Sequence, residues 1–102
     1  MQSKNVSFGT YIAEVRKAKT MSQKEVAAKL DISPQYLNDI EHDKRSPSSP
    51  QLIDLLATTL EISADYLSYL AGRIPEEVKE RKLDPVTFEK AMVAFRKATE
   101  KK

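Results

Sequence analysis

Two helix-start signals, at Ser22 and Ser33, constrain this chain more than any other feature. Ser22 stands three residues before Glu25. That is the spacing of a capping box, in which the serine hydroxyl accepts from the amide three residues on and the glutamate reaches back to the serine amide. Ser33 repeats the N-cap and is followed by Pro34, whose missing N–H costs nothing at the first helical position. Val26, Ala27 and Leu30 share one face of the first helix so defined, Leu37 and Ile40 share one face of the second, and Ile32 falls in the turn. Helices this short are not stable alone in water, so the pair has to be packed into a larger helical core.

The rest of the chain supplies that core in the same helical rhythm. A helix is expected from about Ser7 to Lys19, with Phe8, Ile12 and Val15 as its buried stripe. After the central pair comes a turn-rich loop with Asp43, Ser46, Pro47, Ser48, Ser49 and Pro50. A fourth helix follows from about Ser49 to Leu60, facing Leu52, Ile53, Leu56 and Leu60 inward. A fifth starts from Ser63 as N-cap and runs to about Leu70, with Gly72 as its stop. The sequence from Ile74 to Val78 can open a short helix, and Asp84 with Pro85 announces a last one to about Thr99. No strand pattern is present. The expected class is all-α: a five-helix unit over residues 1–72 and a helical extension over 73–102.

Composition narrows the function. There is no cysteine and a single histidine, His42, so no disulfide, thiolate metal site or histidine cluster is expected, and no cofactor or metal. No nucleophile–base set or phosphate loop is apparent, which makes an enzyme the least favoured class. No apolar run has membrane-spanning length and no signal-peptide pattern opens the chain, so a cytoplasmic, nucleoid-associated protein is expected. The formal net charge of +2 is divided unevenly. Met1 to Gly72 carries eight Lys/Arg and nine Asp/Glu, giving −1, and Arg73 to Lys102 carries nine and six, giving +3.

A compact helix pair that presents its second helix outward is a common reader of the DNA major groove. Here that outer face carries Gln35, Tyr36, Asn38 and Asp39. By pattern alone an ordinary solvated face accounts for it equally well. The wider sequence is more specific. Phe8-Gly9, Ile12, Val15-Arg16, Met21-Ser22-Gln23, Glu25-Val26-Ala27, Leu30, Ile32-Ser33, Ile40-Glu41, Lys44-Arg45, Pro47-Ser48, Leu52, Leu55-Leu56-Ala57, Leu60, Ile62-Ser63 and Asp65-Tyr66-Leu67 follow one another in order. This stretch, from Phe8 to about Leu70, resembles the helix-turn-helix domain of the phage-repressor and Cro-like transcription regulators. The resemblance implies a lambda-repressor-like five-helix fold and binding to double-stranded DNA. It further implies a homodimer on a roughly palindromic operator, with half-sites about 34 Å apart and repression as the usual output.

Carried over residue by residue, the resemblance assigns Gln35, Tyr36, Asn38 and Asp39 to base reading. Gln and Asn suit adenine, Asp suits the cytosine amino group, and Tyr36 suits a thymine methyl or a phosphate. It assigns Gln23 to a phosphate, helped by helix-start amides. Lys24, Lys44 and Arg45 flank the reading helix and join the phosphate set. Arg16 and Glu41 are implied to form a structural ion pair. Pro34 departs from the better-known phage repressors, which carry a polar base-reading residue there. Thr20, Asp31 and Asp43 stand where the family commonly has glycine in a left-handed turn. Aspartate tolerates that conformation and threonine poorly, so the first turn is expected to be built differently.

Beyond Gly72 the resemblance fades. Phe88, Met92 and Phe95 recur at helical spacing on the last segment, flanked by charge. They either fold back on the core or form a dimer interface, and the dimer is favoured because five helices already close a core. Two rival readings stay open. One is an antitoxin-like regulator whose extension binds a partner protein. The other is a protein-interaction module without DNA binding, to which the −1 balance of the first 72 residues points.

Overall fold

The computed structural model describes residues 6–47, 49–74 and 76–100, and these form seven helices and no strand. Ser48 and Pro75, both singled out in the sequence, lie outside the described residues. The helices are α1 (Phe8–Ala18), α2 (Gln23–Leu30), α3 (Pro34–Glu41), α4 (Pro50–Leu60), α5 (Ala64–Leu70), α6 (Glu76–Lys79) and α7 (Pro85–Thr99).

Each of the first five begins on a serine whose hydroxyl accepts from an amide three residues on: Ser7, Ser22, Ser33, Ser49 and Ser63. Ser22 and Glu25 complete the capping box from both sides, at 3.0 and 2.8 Å. The same five helices also end alike. The chain turns left-handed at Thr20, Asp31, Asp43, Glu61 and Gly72. There paired amides return to the last carbonyls, as in Met21 N–H to Arg16 O and Thr20 N–H to Lys17 O. This closure satisfies acceptors a helix end would otherwise orphan. The first turn is therefore built as the others are, contrary to the expectation from threonine's poor fit: Thr20 sits at φ 55°, and the double bond pattern at the end of α1 holds it there.

The core is made by α1 to α5, with α1 and α2 both against α3, and α4 against α5, α2 and α1. Ile12, Val26, Leu37, Ile40, Ile53, Leu56, Leu60 and Leu67 are fully enclosed. Each such side chain contributes on the order of 1.5–3 kcal/mol by leaving water. Val15 is only half-buried, and Arg16 takes the deeper place beside it. At Gly9 the first helix touches the end of α3. An added Cβ would lie 2.3 Å from Ile40 O and 2.6 Å from Glu41 O, so only glycine permits this approach. α7 has no buried residue. Among the described residues, no helix is long and apolar enough to cross a membrane.

Candidate nucleic-acid interface

The apolar seam of α3, Leu37 and Ile40, is wholly buried, which fixes its other side outward. A bond network locks that orientation. Arg16 Nε and Nη2 donate to Glu41 Oε2 and Oε1 at 2.6 and 3.0 Å, and Nη1 donates to Met21 O at 2.8 Å. Both charged side chains are nearly out of solvent, at 10% and 4% exposure. Gln23 Nε2 then donates to Glu41 Oε1 at 2.8 Å and to Asn38 Oδ1 at 3.2 Å. One connected chain of bonds thus runs from α1 through the end of α3 and the start of α2 to Asn38, at the edge of the outward face.

Both hydrogens of the Gln23 amide are engaged by Glu41 and Asn38 in the free protein. The start of α2 also offers main-chain N–H groups. The capping box satisfies the amides of Ser22 and Glu25, and those of Gln23 and Lys24 in the same first turn take no part in it. Lys24 and Lys44 are exposed on either side of α3 in sequence.

On the face itself, Gln35 is exposed and its Nε2 donates to Asp39 Oδ1 at 2.9 Å. Tyr36 is half-buried against the core. The Arg45 guanidinium lies 5.2 Å from the Tyr36 ring centroid, with Nε 3.9 Å from Asp39 Oδ2. His42, the C-cap of α3, places Nδ1 2.8 Å from Asn38 O, and since a carbonyl only accepts, that nitrogen is the donor.

The acidic residues around α3 are therefore not an open negative field. Glu41 is paired and buried. The carboxylate of Asp43 accepts from Gly9 N–H at 2.9 Å and from the Ser7 hydroxyl at 2.6 Å, turned toward α1. Asp43 is legible in the sequence as a turn residue, but its role in holding α1 depends on a contact 34 residues distant and has no local signature. The same holds for Arg73, whose Nη2 donates to Pro47 O at 3.1 Å and ties the end of the α5 turn to the loop after α3.

Comparison with known proteins matches residues 12–67 to a helix-turn-helix family. The chain belongs to the phage-repressor and Cro-like helix-turn-helix regulators. It is similar to an uncharacterized helix-turn-helix-type transcriptional regulator, RghRB, of Bacillus subtilis (strain 168), at 33% identity over 76 residues. That match covers 72% of this chain and spans 55% of the relative, little more than half its length. Among solved structures it is similar to SinR of Bacillus subtilis, described as the master regulator for biofilm formation, in complex with DNA. The identity is 30%, 59% of this chain and 95% of that chain are covered, and the TM-score is 0.54. It is also similar to the restriction-modification controller protein C.AhdI of Aeromonas hydrophila, at 33% identity, 59% and 89% coverage and a TM-score of 0.54.

The matched helix-turn-helix span begins at Ile12 and ends at Leu67, a fully enclosed residue of α5. Everything that follows, including α6 and α7, lies beyond it. Of the apolar residues on the last helix, Phe88 and Phe95 are exposed at 45% and 51%, and Met92 is half-buried. Phe95 and Thr99 line a shallow apolar groove with Tyr66 and Tyr69 of α5. Gln35, Tyr36, Asp39 and Arg45 thus lie together on the outer side of α3, and the α7 stripe is left largely uncovered.

Proposed function

We propose that this helix-turn-helix regulator binds a specific duplex DNA sequence as a homodimer and acts as a repressor on a roughly palindromic operator. The observation that carries the reading is the outward face of α3, rich in amide and carboxylate groups, on a helix pinned to α1 and α2 by the Arg16–Glu41–Gln23 network. A reading helix has to be rigid if base contacts are to discriminate, and this one is anchored at both its apolar seam and its end. Gln35, Tyr36, Asn38 and Asp39 face the groove. Lys24, Lys44 and the helix-start amides of α2 meet the backbone, and Arg45 brings a further positive charge to the same edge.

The exposed stripe of Phe88, Met92 and Phe95 supports a contact between copies through the extension over residues 73–102, with the unit over 1–72 left to engage DNA. The same stripe also suits a partner protein, as in the antitoxin-like alternative. The activity proposed is binding, with no catalytic step and no cofactor, in the cytoplasm where the nucleoid lies.

Selection from a random pool of duplex DNA at two salt concentrations tests the reading. Enrichment of a two-fold symmetric site whose affinity falls with salt is expected. An unenriched pool with no salt-dependent retention would favour a protein-interaction module instead, in keeping with the −1 balance of Met1 to Gly72.

A further inference from the structure

Arg45 does not simply extend from its loop but lies back against the outer face of α3. The loop that carries it is started by the left-handed Asp43 and by Lys44 N–H donating to Asp39 O at 2.8 Å. Its guanidinium then folds back over the Tyr36 ring, 5.2 Å from the centroid, and approaches Asp39 Oδ2 with Nε at 3.9 Å. Asp39 is fixed in turn by Gln35 Nε2 on its other oxygen, at 2.9 Å. Its side chain is 22% exposed, whereas that of Arg45 is 62% exposed. Nε makes the near approach to the carboxylate, which leaves the terminal amino groups of the guanidinium for an outside partner.

The local charge argues against a phosphate as that partner. An anion brought onto Arg45 would sit within a few ångströms of the Asp39 carboxylate, and like charges at that distance repel. A base edge carries no net charge. In the major groove a G·C pair offers two acceptors on guanine, O6 and N7, and one donor on cytosine, the N4 amino group. A guanidinium beside a carboxylate offers two donors and an acceptor, the complement of that pattern. An A·T pair interleaves acceptor, donor and acceptor and does not fit it.

We propose that Asp39 and Arg45 together read one G·C base pair in each half-site. Arg45 donates to guanine, Asp39 accepts from cytosine, and the Tyr36 ring serves as the platform that aims the arginine. The inference rests on the sequence-specific DNA reading above and names its chemistry at one position.

Pool selection with the full chain, repeated for Arg45→Ala and Asp39→Ala, tests it. Wild type is expected to select a G·C pair at one symmetric position. Both variants are expected to lose preference at that position, keep the rest of the site, and bind the wild-type sequence roughly 5- to 150-fold more weakly. Thermal melting and retained binding to random duplex show that each variant is folded. Uniform weakening of Arg45→Ala across all sequences, with a salt slope smaller by about one, would make Arg45 a phosphate contact and overturn the proposal. A wild-type site with no G·C preference at a symmetric position would overturn it while leaving the regulator reading intact. Absence of any enriched site would overturn both.

Discussion

Arg16 is buried against Glu41 and beneath the carbonyl of Met21, so each charge depends on the other for its solvation. Removing one partner leaves an uncompensated buried charge, which typically costs about 3–5 kcal/mol. Arg16→Ala is expected to destabilise the protein by that much in urea unfolding, and Arg16→Ala with Glu41→Ala by clearly less than the sum. Thr20 offers the opposite case. A β-branched residue at φ 55° carries strain of about 1–2 kcal/mol, partly offset against glycine by the greater freedom glycine loses on folding. Thr20→Gly should therefore stabilise by up to about 1 kcal/mol, read as a rise in melting temperature. The left-handed role of Asp31 and Asp43 was legible in the sequence because aspartate is tolerated there. That of Glu61 was not, since glutamate has no such preference and only the bond pattern at the end of α4 reveals it. Among the site residues, Gln23 shows the limit of reading by position. Its place at the start of α2 suggested a phosphate contact, whereas its bonds to Glu41 and Asn38, on a helix 15 to 18 residues away, had no local signature.

The helices themselves were largely legible, because serine caps, prolines at first positions and apolar spacing mark their ends locally. The last helix is the clearest example, with Asp84 accepting from Thr87 N–H at 2.7 Å and Pro85 opening the first turn. That main-chain bond holds the Asp84 carboxyl below the usual carboxylate range. A carboxyl depressed in the folded state stabilises its helix above the unfolded-state value, and the contribution is lost as pH falls through the lower, folded one. Acidification through that window should fray the start of α7 before the core responds. Amide exchange at Val86 to Phe88 would show it, and Asp84→Ala should abolish the pH step. What the helix pattern did not settle was where the apolar side of α7 goes, because its stripe fits a fold-back or a partner equally well. In the structure Phe95 and Thr99 of α7 share a groove with Tyr66 and Tyr69 of α5, and α7 buries none of its residues.

At the scale of the molecule, the exposed aromatic stripe and the closed five-helix core suggest separate tasks. Phe88→Ala with Phe95→Ala is expected to convert dimers to monomers by light scattering while leaving the melting of the core nearly unchanged, since both side chains are about half exposed in one copy. An unchanged mass would place the contact between copies elsewhere. The core has a further property of its own. α1 has no acidic residue in its first turn, and the negative charge that its N-terminus favours arrives instead from Asp43, beyond the end of α3. The anchor for Ser7 and Gly9 therefore comes from a residue 34 positions beyond Gly9 in the chain. The start of the first helix and the turn after the third are thus coupled, so that neither can move away without losing the bonds to Ser7 and Gly9.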